Sequence, residues 1–467
     1  MSYYSISLDE IRQKVDRKNG RKKPSYEPVL AFGDLSYPNV KEQINEFGEK
    51  IIRVDGDIPV NLPIKNEQRF LFISYDQTAL THGLHKYPAK FFPELPRWLI
   101  KKYSNKGDII LDPFCGSGTT NVEALLNYRH SVGIDVDPFS RYLSKVKTTP
   151  LDKYNLELSR DKLLQEVLAF RPSFVNERDV PKFPYRDRWF NREIILELAY
   201  IRKVIEKLDA DNDIKDFFKI CFSSIIRSVS NADDNCTRTV IRRKLNKKIS
   251  PSDALTKFAE TILINVPKMI EFSQKCPNDI VVEFPDNQDA RSINYPDNYF
   301  DLAVTSPPYA NAVDYPRTHQ LEIYWLGFET GSLTPLKKKH IGTESVSAKE
   351  YHKLHKIGIG EIDKVITKIY QKDPRRAYIA YKYLYDMRKN LREVYRVLKR
   401  DKYYIVVVGN NRIRNVLFKN WNYIKLMAIE IGFRVENYFA SEIIKHFIKV
   451  PREERINTDW ILVFKKR

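Results

Sequence analysis

Short apolar runs alternate with a helical stretch between residues 108 and 138. Segments 108–114 (DIILDPF) and 130–138 (HSVGIDVDP) have the continuous apolar character of buried strands that run into turns. Segment 115–129 between them starts with a glycine-rich turn and continues with the spacing of a helix. Strand, helix and strand of these lengths form a βαβ unit, so we predict a parallel sheet.

A second set of strand and helix signals begins near residue 280 and runs to the end of the chain. Its apolar runs are short enough for strands, and two longer stretches have a helical period. We expect these elements to complete the same sheet. The predicted strands are 279–286, 300–309, 403–409, 434–441 and 459–466, and the predicted helices are 377–399 and the region of 421–433.

The part of the chain between these two sets has helix-period apolar stripes instead, at 193–209, 216–230 and 254–272. We therefore predict an α/β fold in which a catalytic sheet with helices on both faces is interrupted by a largely helical insertion. The predicted division is a sheet domain from 76–150 and 281–467, an insertion at 151–280, and an N-terminal extension with some helix at 1–75.

The composition adds a strongly basic charge to this picture. The 467 residues include 79 Lys and Arg against 60 Asp and Glu, a formal net charge of +19. Such an excess attracts polyanions, of which nucleic acid is the commonest, although a generally Lys-rich proteome gives the same excess. The chain has no apolar run that predicts a membrane span or a secretion signal. Its four cysteines form no CxxC pair, so we expect no zinc site and a cytoplasmic location.

A glycine turn (residues 112–120, DPFCGSGTT) joins the first predicted strand to its helix. Gly116 and Gly118 allow a tight turn and the close approach of a ligand, and the helix start offers free N–H groups. The GK[ST] ending of a P-loop is missing, and a purely structural turn is the alternative. The second strand ends at Asp135, whose carboxylate can accept the ribose hydroxyls of an adenosine-bearing cofactor. Asp137 is expected to cap the next helix.

The SPPY segment (residues 306–309) follows the apolar run before it without a break. Pro307 and Pro308 fix the backbone in an extended form, so the nearby carbonyls stay out of any helix. A carbonyl of Ser306 or Pro307, together with the Ser306 hydroxyl, can accept the N–H bonds of an exocyclic amine, and Tyr309 offers a flat face to its ring. A strand-ending turn is the alternative. The position at the carboxyl end of a parallel strand favours a binding site.

The glycine turn and the SPPY segment together resemble the amino-methylating DNA methyltransferases that use S-adenosylmethionine. Residues 81–100 (THGLHKYPAKFFPELPRWLI) are similar to the cofactor-side helix motif of that family, and residues 289–293 (DARSI) to its adenine-binding segment. The resemblance implies a Rossmann-like methyltransferase sheet, S-adenosylmethionine as cofactor and duplex DNA as substrate. The serine at position 306 resembles the residue that cytosine-N4 enzymes have at this point of the motif, whereas adenine-N6 enzymes more often have Asp or Asn there.

The same resemblance implies a reaction and the roles of individual residues. The methyl group would pass directly to the N4 amine of a cytosine flipped out of the duplex, and a restriction endonuclease would be a companion protein. The glycine turn precedes the SPPY segment here, which resembles the group whose recognition region lies between the two halves. The base would be held by Ser306, Pro307, Pro308 and Tyr309, and the cofactor by Asp112, Phe114, Gly116, Ser117, Gly118, Thr119, Asp135 and Asp289.

Two basic stretches are candidates for contact with the DNA backbone. One is the loop region after the SPPY segment, at 336–342 (LKKKHIG) and 351–358 (YHKLHKIG). The other stretch lies in the insertion, where a solvated surface is the alternative: Arg242, Arg243, Lys244, Lys247 and Lys248.

The rival functions are an adenine-N6 methyltransferase, an RNA methyltransferase that acts on a base amine, and a nucleic-acid-binding protein without activity.

Overall fold

The computed structural model of the chain describes residues 7–19, 37–45, 48–241, 247–310, 314–443 and 458–467. The strands are β1 (Val40–Ile44), β2 (Lys50–Asp55), β3 (Arg69–Ile73), β4 (Ile109–Asp112), β5 (His130–Gly133), β6 (Val282–Glu283), β7 (Phe300–Thr305), β8 (Leu398–Gly409), β9 (Asn411–Ile413), β10 (Val416–Phe418), β11 (Arg434–Glu442) and β12 (Thr458–Lys465). The helices are α1 (Leu8–Asn19), α2 (Glu94–Tyr103), α3 (Thr119–Leu126), α4 (Pro138–Thr148), α5 (Lys153–Leu168), α6 (Arg186–Trp189), α7 (Arg192–Lys207), α8 (Asn212–Ile226), α9 (Asp253–Lys275), α10 (Tyr315–Thr318), α11 (Gln320–Trp325), α12 (Thr334–Lys339), α13 (Ala348–Tyr351), α14 (Gly360–Tyr370), α15 (Pro374–Val397) and α16 (Asn420–Ile431).

Ten of the strands form one mixed sheet in the order β1-β2-β3-β11-β12-β8-β7-β4-β5-β6. The five strands β8, β7, β4, β5 and β6, adjacent in that order, are parallel to one another. Counted from β4 in chain order, this part has the order 3-2-1-4-5 of a doubly wound nucleotide-binding sheet. Strand β12 lies antiparallel between β8 and β11. The predicted Rossmann-like α/β sheet is therefore confirmed.

The central strands are apolar because helices cover both faces of the sheet. Every residue of β7 is buried, as expected for a strand between two helical layers. Successive residues of β4 point to opposite faces, so that Leu111 packs in a core with Tyr383 and Met427 of α15 and α16. Ile110 packs on the other face with Trp98 of α2. The predicted helix at 377–399 and its following strand match α15 and β8.

The described part of residues 151–280 is largely helical. Helices α5 to α9 share one apolar core with parts of α3, α4 and α11, so the helical region rests against one face of the sheet. No strand occurs between 151 and 280 in the described residues, which leave out 242–246. Among the helices that the structure describes, none is long and apolar enough to cross a membrane.

The N-terminal stretch contributes strands that the sequence pattern did not predict. Strand β3 lies parallel to β11, and β2 and β1 extend the sheet beyond it. Helix α1 packs on α9, with Ile11 in the shared apolar core, and the Lys14 ammonium group lies 2.5 Å from the Glu260 carboxylate. Much of the stretch 1–75 that we expected to be an extension is thus part of the sheet and of the helical core. Strand β1 gave a weak signal because the three central residues of VKEQI are polar and only Val40 is buried.

Candidate active site

A cleft opens where the strand order of the sheet reverses, beside the carboxyl ends of the adjacent strands β4 and β7. In doubly wound sheets this switch point is the usual ligand site. Among the predicted site residues, those that line the cleft are Asp112, Phe114, Gly116, Ser117, Thr119, Asp135, Asp289, Ser306 and Pro308, whereas Gly118, Pro307 and Tyr309 do not.

The glycine turn takes a backbone form that other residues adopt only with strain. Gly116 and Gly118 have φ angles of +48° and +70°, in the left-handed region. A Cβ atom on Gly118 would lie 2.7 Å from the Ser144 Oγ atom, and one on Gly116 would meet the Tyr87 ring at 3.4 Å. Glycine at position 118 therefore lets the turn pack against α4, and glycine at position 116 leaves the backbone of the turn exposed to the cleft.

Two residues of helix α4 hold the carbonyls of this turn in place. The Ser144 hydroxyl donates to the Gly116 carbonyl at 3.0 Å, and the Lys147 ammonium group donates to the Ser117 carbonyl. Lys147 is almost completely buried, and burial lowers its pKa well below the ordinary value. Nothing in the sequence pattern singles out Lys147, since a lysine on an amphipathic helix is normally solvated.

Asp135 lies at the end of the second strand and accepts two backbone N–H groups. Its carboxylate accepts from Gly116 at 3.1 Å and from Asp137 at 2.9 Å. Burial and the neighbouring Asp137 raise the pKa of Asp135 to about 6. Asp137 accepts from the Phe139 N–H at 2.9 Å and caps α4, as predicted. A cationic ligand in the cleft would favour the ionised form of Asp135.

His340 brings the loop after the SPPY segment to the same carboxylates. Its Nε2 atom lies 3.7 Å from the Asp137 Oδ2 atom. Burial alone would lower the pKa of His340, but the Asp137 carboxylate and the charge of Asp135 raise it overall. His340 also lines the cleft.

Asp112 connects the glycine turn with the strand that carries the SPPY segment. Its Oδ1 atom accepts from the Phe114 N–H at 3.1 Å and from the Thr305 hydroxyl at 2.6 Å. Burial raises its pKa to about 6, against the effect of these hydrogen bonds. Because Thr305 is the residue before Ser306, this contact fixes the distance between the two predicted halves of the site.

The SPPY segment is held by two neighbouring strands. The Ser306 hydroxyl donates to the Val407 carbonyl of β8 at 3.2 Å, and the Tyr309 hydroxyl donates to the Asp459 Oδ1 atom of β12 at 2.6 Å. Ser306 and Pro308 line the cleft, while Tyr309 is half-buried beside it. The glycine turn and the SPPY segment, 190 residues apart in the chain, therefore meet at one opening.

Asp289 lines the cleft, but its carboxylate is engaged within its own segment. Both of its oxygens accept from the Arg291 guanidinium, at 2.9 and 2.6 Å. Burial would raise the pKa of Asp289, but Arg291 lowers it below the ordinary value. The expected contact of Asp289 with an adenine amine must therefore use lone pairs that Arg291 leaves available.

The predicted DNA-binding cluster is described only in part. Arg242, Arg243 and Lys244 lie outside the described residues. The Lys247 ammonium group donates to the Arg227 and Ala232 carbonyls, both at 3.1 Å, and lies 2.9 Å from the Asp234 carboxylate. These contacts anchor a loop, whereas Lys248 is exposed.

Sequence reasoning missed a set of aromatic and acidic residues at the cleft. Tyr87 lines it and stacks on Tyr315 with ring centroids 5.6 Å apart, and its hydroxyl lies 2.8 Å from the Ser140 hydroxyl. Tyr87 lies inside the motif at 81–100, but its role depends on its three-dimensional neighbours. Asp459 comes from the last strand and has no motif around it.

The cleft suits a cofactor that has a sulfonium, an amino-acid group and an adenosine. The carboxylates of Asp112 and Asp135 favour positive charge and can accept hydroxyl groups. Helix α3 starts at Thr119 on the cleft wall, where its free N–H groups suit a carboxylate. Gly116 lets the backbone approach closely.

Comparison with known proteins agrees with these features. Residues 3–145 match the model of the DNA methylase family, named for N6 and N4 methyltransferases. The chain is 26% identical over 400 residues to the Type II methyltransferase M.MvaI of Kocuria varians, covering 76% of this chain and 85% of that protein. It is 28% identical over 284 residues to the Type II methyltransferase M.BsoBI of Geobacillus stearothermophilus, covering 56% of this chain and 55% of that protein.

Among solved structures, an S-adenosylmethionine-dependent methyltransferase from Methanosarcina mazei is 10% identical, with 82% of this chain and 98% of that chain covered and a TM-score of 0.29. The family and sequence matches support the resemblance. They confirm the predicted resemblance to the amino-methylating DNA methyltransferases of the restriction–modification type, with S-adenosylmethionine as the cofactor.

Proposed function

We propose that this protein transfers a methyl group from S-adenosylmethionine to the exocyclic N4 amine of a cytosine at a specific site in duplex DNA. The observation that carries the proposal is the single cleft lined by Gly116, Ser117, Ser306 and Pro308. A donor on the glycine turn and a base on the SPPY segment would face each other across it. Holding two reactants in line is worth up to about 7–11 kcal/mol in favourable systems.

Ser306 is set up to accept a hydrogen bond from an amine. Its own proton is directed to the Val407 carbonyl, so the lone pairs of the hydroxyl oxygen remain for an N–H donor. The amine lone pair of cytosine is conjugated with the ring and is a poor nucleophile. Acceptors around the amine bias it toward tetrahedral geometry and stabilise the positive charge that develops on nitrogen.

The cofactor would lie over the glycine turn, where it supplies the methyl group on a positively charged sulfur. Asp135 would accept the ribose hydroxyls, and the start of α3 at Thr119 would bind the carboxylate. Asp112 places negative charge on the cleft wall. Ser144 and Lys147 hold the turn so that these groups keep their positions.

The base must leave the duplex to reach this cleft, at a cost of a few kcal/mol. Stacking on Tyr309 would offset part of the cost, roughly 1–3 kcal/mol per base. Exposed basic residues such as Lys248 would contact phosphates. The relatives named as Type II methyltransferases also support a companion endonuclease for this protein.

A covalent route through a cysteine has no support at this site. Cys115 lies on the cleft wall, but burial raises the pKa of its thiol well above the ordinary value. The thiolate, which is the nucleophilic form, is therefore disfavoured there. Direct transfer to an amine needs no such nucleophile.

The test is a methyl-transfer assay followed by nucleoside analysis. The protein is incubated with methyl-tritiated S-adenosylmethionine and duplex DNA, RNA or no nucleic acid, and labelled polymers are digested to nucleosides. We expect label in DNA as N4-methylcytosine. Label as N6-methyladenine would change the base assignment, label in RNA would replace the substrate, and no label in any polymer would contradict the proposal.

A pair of serine variants connects the activity to the cleft. Ser306→Ala should lower the transfer rate by about tenfold or more, the effect of losing a hydrogen bond to a developing charge. Ser173→Ala is the matched control, because Ser173 is exposed on a turn of the helical region and does not line the cleft. Equal rates for the two variants would show that Ser306 does not touch the reacting amine.

A further inference from the structure

Strand β12 delivers a carboxylate to the SPPY segment from the far end of the chain. β12 runs antiparallel to β8, so its first residues lie at the carboxyl end of β8, where Asp459 pairs with Gly409. β8 in turn lies beside β7, with Thr305 opposite Val406. The reversed direction of β12 thus places Asp459 at the cleft edge of the sheet.

The contact between Asp459 and Tyr309 is short and protected. The Tyr309 hydroxyl donates to the Asp459 Oδ1 atom at 2.6 Å, a length typical of a hydrogen bond to an ionised acceptor. Burial and the Asp459 charge raise the pKa of Tyr309 well above its ordinary value, so the phenol keeps the proton that it donates. Burial also raises the pKa of Asp459.

The two prolines before Tyr309 fix the backbone but leave the side-chain torsions of Tyr309 free. Stacking on a base depends on the plane of the ring, and an ordered side chain costs rotamer entropy. A hydrogen bond at the distal end of the ring fixes that plane before the base arrives.

We propose that Asp459 is a positioning residue that holds the Tyr309 ring in the plane needed to receive the flipped base. The proposal rests on the function proposed above and adds a residue to it that lies 150 positions away from Tyr309. Asp459 acts through the phenol, and the contact with the base is made by Tyr309.

A double-mutant cycle tests this role. Tyr309→Phe keeps the ring and removes the hydroxyl, and Asp459→Leu keeps a similar volume and removes the acceptor. Each single variant should lower the single-turnover rate of methyl transfer to DNA by about 10- to 100-fold, as expected for loss of a hydrogen bond to a charged group. The double variant should be no slower than Tyr309→Phe alone, because Asp459 acts through the hydroxyl that this change has already removed.

Further measurements separate positioning from general damage to the fold. Asp459→Asn retains an acceptor oxygen and should stay within a few-fold of wild type. Cofactor affinity and thermal unfolding should be unchanged in the double variant, which leaves no hydroxyl or carboxylate unpaired.

A wild-type rate in Asp459→Leu, or losses that multiply in the double variant, would overturn the proposal. Wild-type protein that transfers no methyl group to any nucleic acid would instead overturn the proposed function, and this role with it.

Discussion

Replacing Gly118 by alanine tests the conformation on which the cofactor site depends. The φ angle of +70° costs an L-residue about 1–2 kcal/mol. The new Cβ would also lie 2.7 Å from Oγ, 2.8 Å from Cβ and 3.0 Å from Cα of Ser144, closer than packed atoms approach. Ser144 is buried on α4, so relief requires a backbone shift, and overpacking of this kind costs about 1–3 kcal/mol. The sum is a loss of about 2–5 kcal/mol in the free energy of unfolding.

Gly107 is a matched control because it has a positive φ angle of +84° and nothing within 4 Å of a built Cβ. Gly107→Ala should therefore show only the strain, about 1–2 kcal/mol. Urea unfolding measures the difference between the two variants, which isolates the contact with Ser144. Calorimetric titration with S-adenosylmethionine should show at least about tenfold weaker binding for Gly118→Ala and unchanged binding for Gly107→Ala. A tenfold change in affinity corresponds to a loss of ~1.4 kcal/mol of binding free energy between the cofactor and the displaced turn. The reasoning is refuted if the two variants lose equal stability and bind the cofactor equally.

Two further predictions concern residues at the cleft, and a third concerns the basic cluster of the helical region. The pKa of Asp135 is raised to about 6 in the folded protein, against about 3.9 in an unfolded chain. The folded state therefore holds this proton to higher pH, and the free energy of unfolding should fall as the pH rises from about 4 to 6. Cofactor affinity should rise over that window, and Asp135→Asn should reduce both slopes in urea and titration series, leaving the part due to Asp112, whose pKa is also raised to about 6. Lys147→Met should weaken cofactor binding by calorimetry, because the Ser117 carbonyl loses its donor; unchanged affinity would mean that the turn holds itself. Lys247→Met should lower stability by about 1–3 kcal/mol, because the Arg227 and Ala232 carbonyls lose a charged donor and the Asp234 carboxylate loses its cation. Lys248→Met should reduce the salt dependence of DNA binding by about one phosphate contact with no loss of stability. A loss of stability in Lys248→Met together with a loss of salt dependence in Lys247→Met would contradict the structural role of Lys247 and the DNA-binding role of Lys248.

Sequence predicted the part of the fold whose signals are local. The strand at 108–114, the glycine turn and the helix after it are contiguous, and each step has its own residue preference. The place of strands β1 to β3 in the sheet could not be predicted, because β3 joins it through β11, more than 360 residues later in the chain. Neither segment alone identifies a pairing partner at such a distance.

The site residues also divide into those that local sequence signals predict and those that depend on the fold. Its motif residues were found because glycines and prolines have backbone requirements that can be read one position at a time. Lys147, His340 and Asp459 were not found, because each acts through a neighbour that only the folded chain supplies. A run of basic residues also cannot show that one member, Lys247, is already paired.

The central claim is that one cleft holds the methyl donor and the extruded base together. A crystal structure of the protein with a non-reactive cofactor analogue and a duplex that contains its site tests this directly. We predict that the analogue lies on the Gly116–Ser117 turn and that a flipped cytosine lies against Ser306 and Pro308, with its N4 atom about 3–3.5 Å from the methyl position. A base that stays stacked in the duplex, or one bound away from the cleft that holds the analogue, would contradict the account.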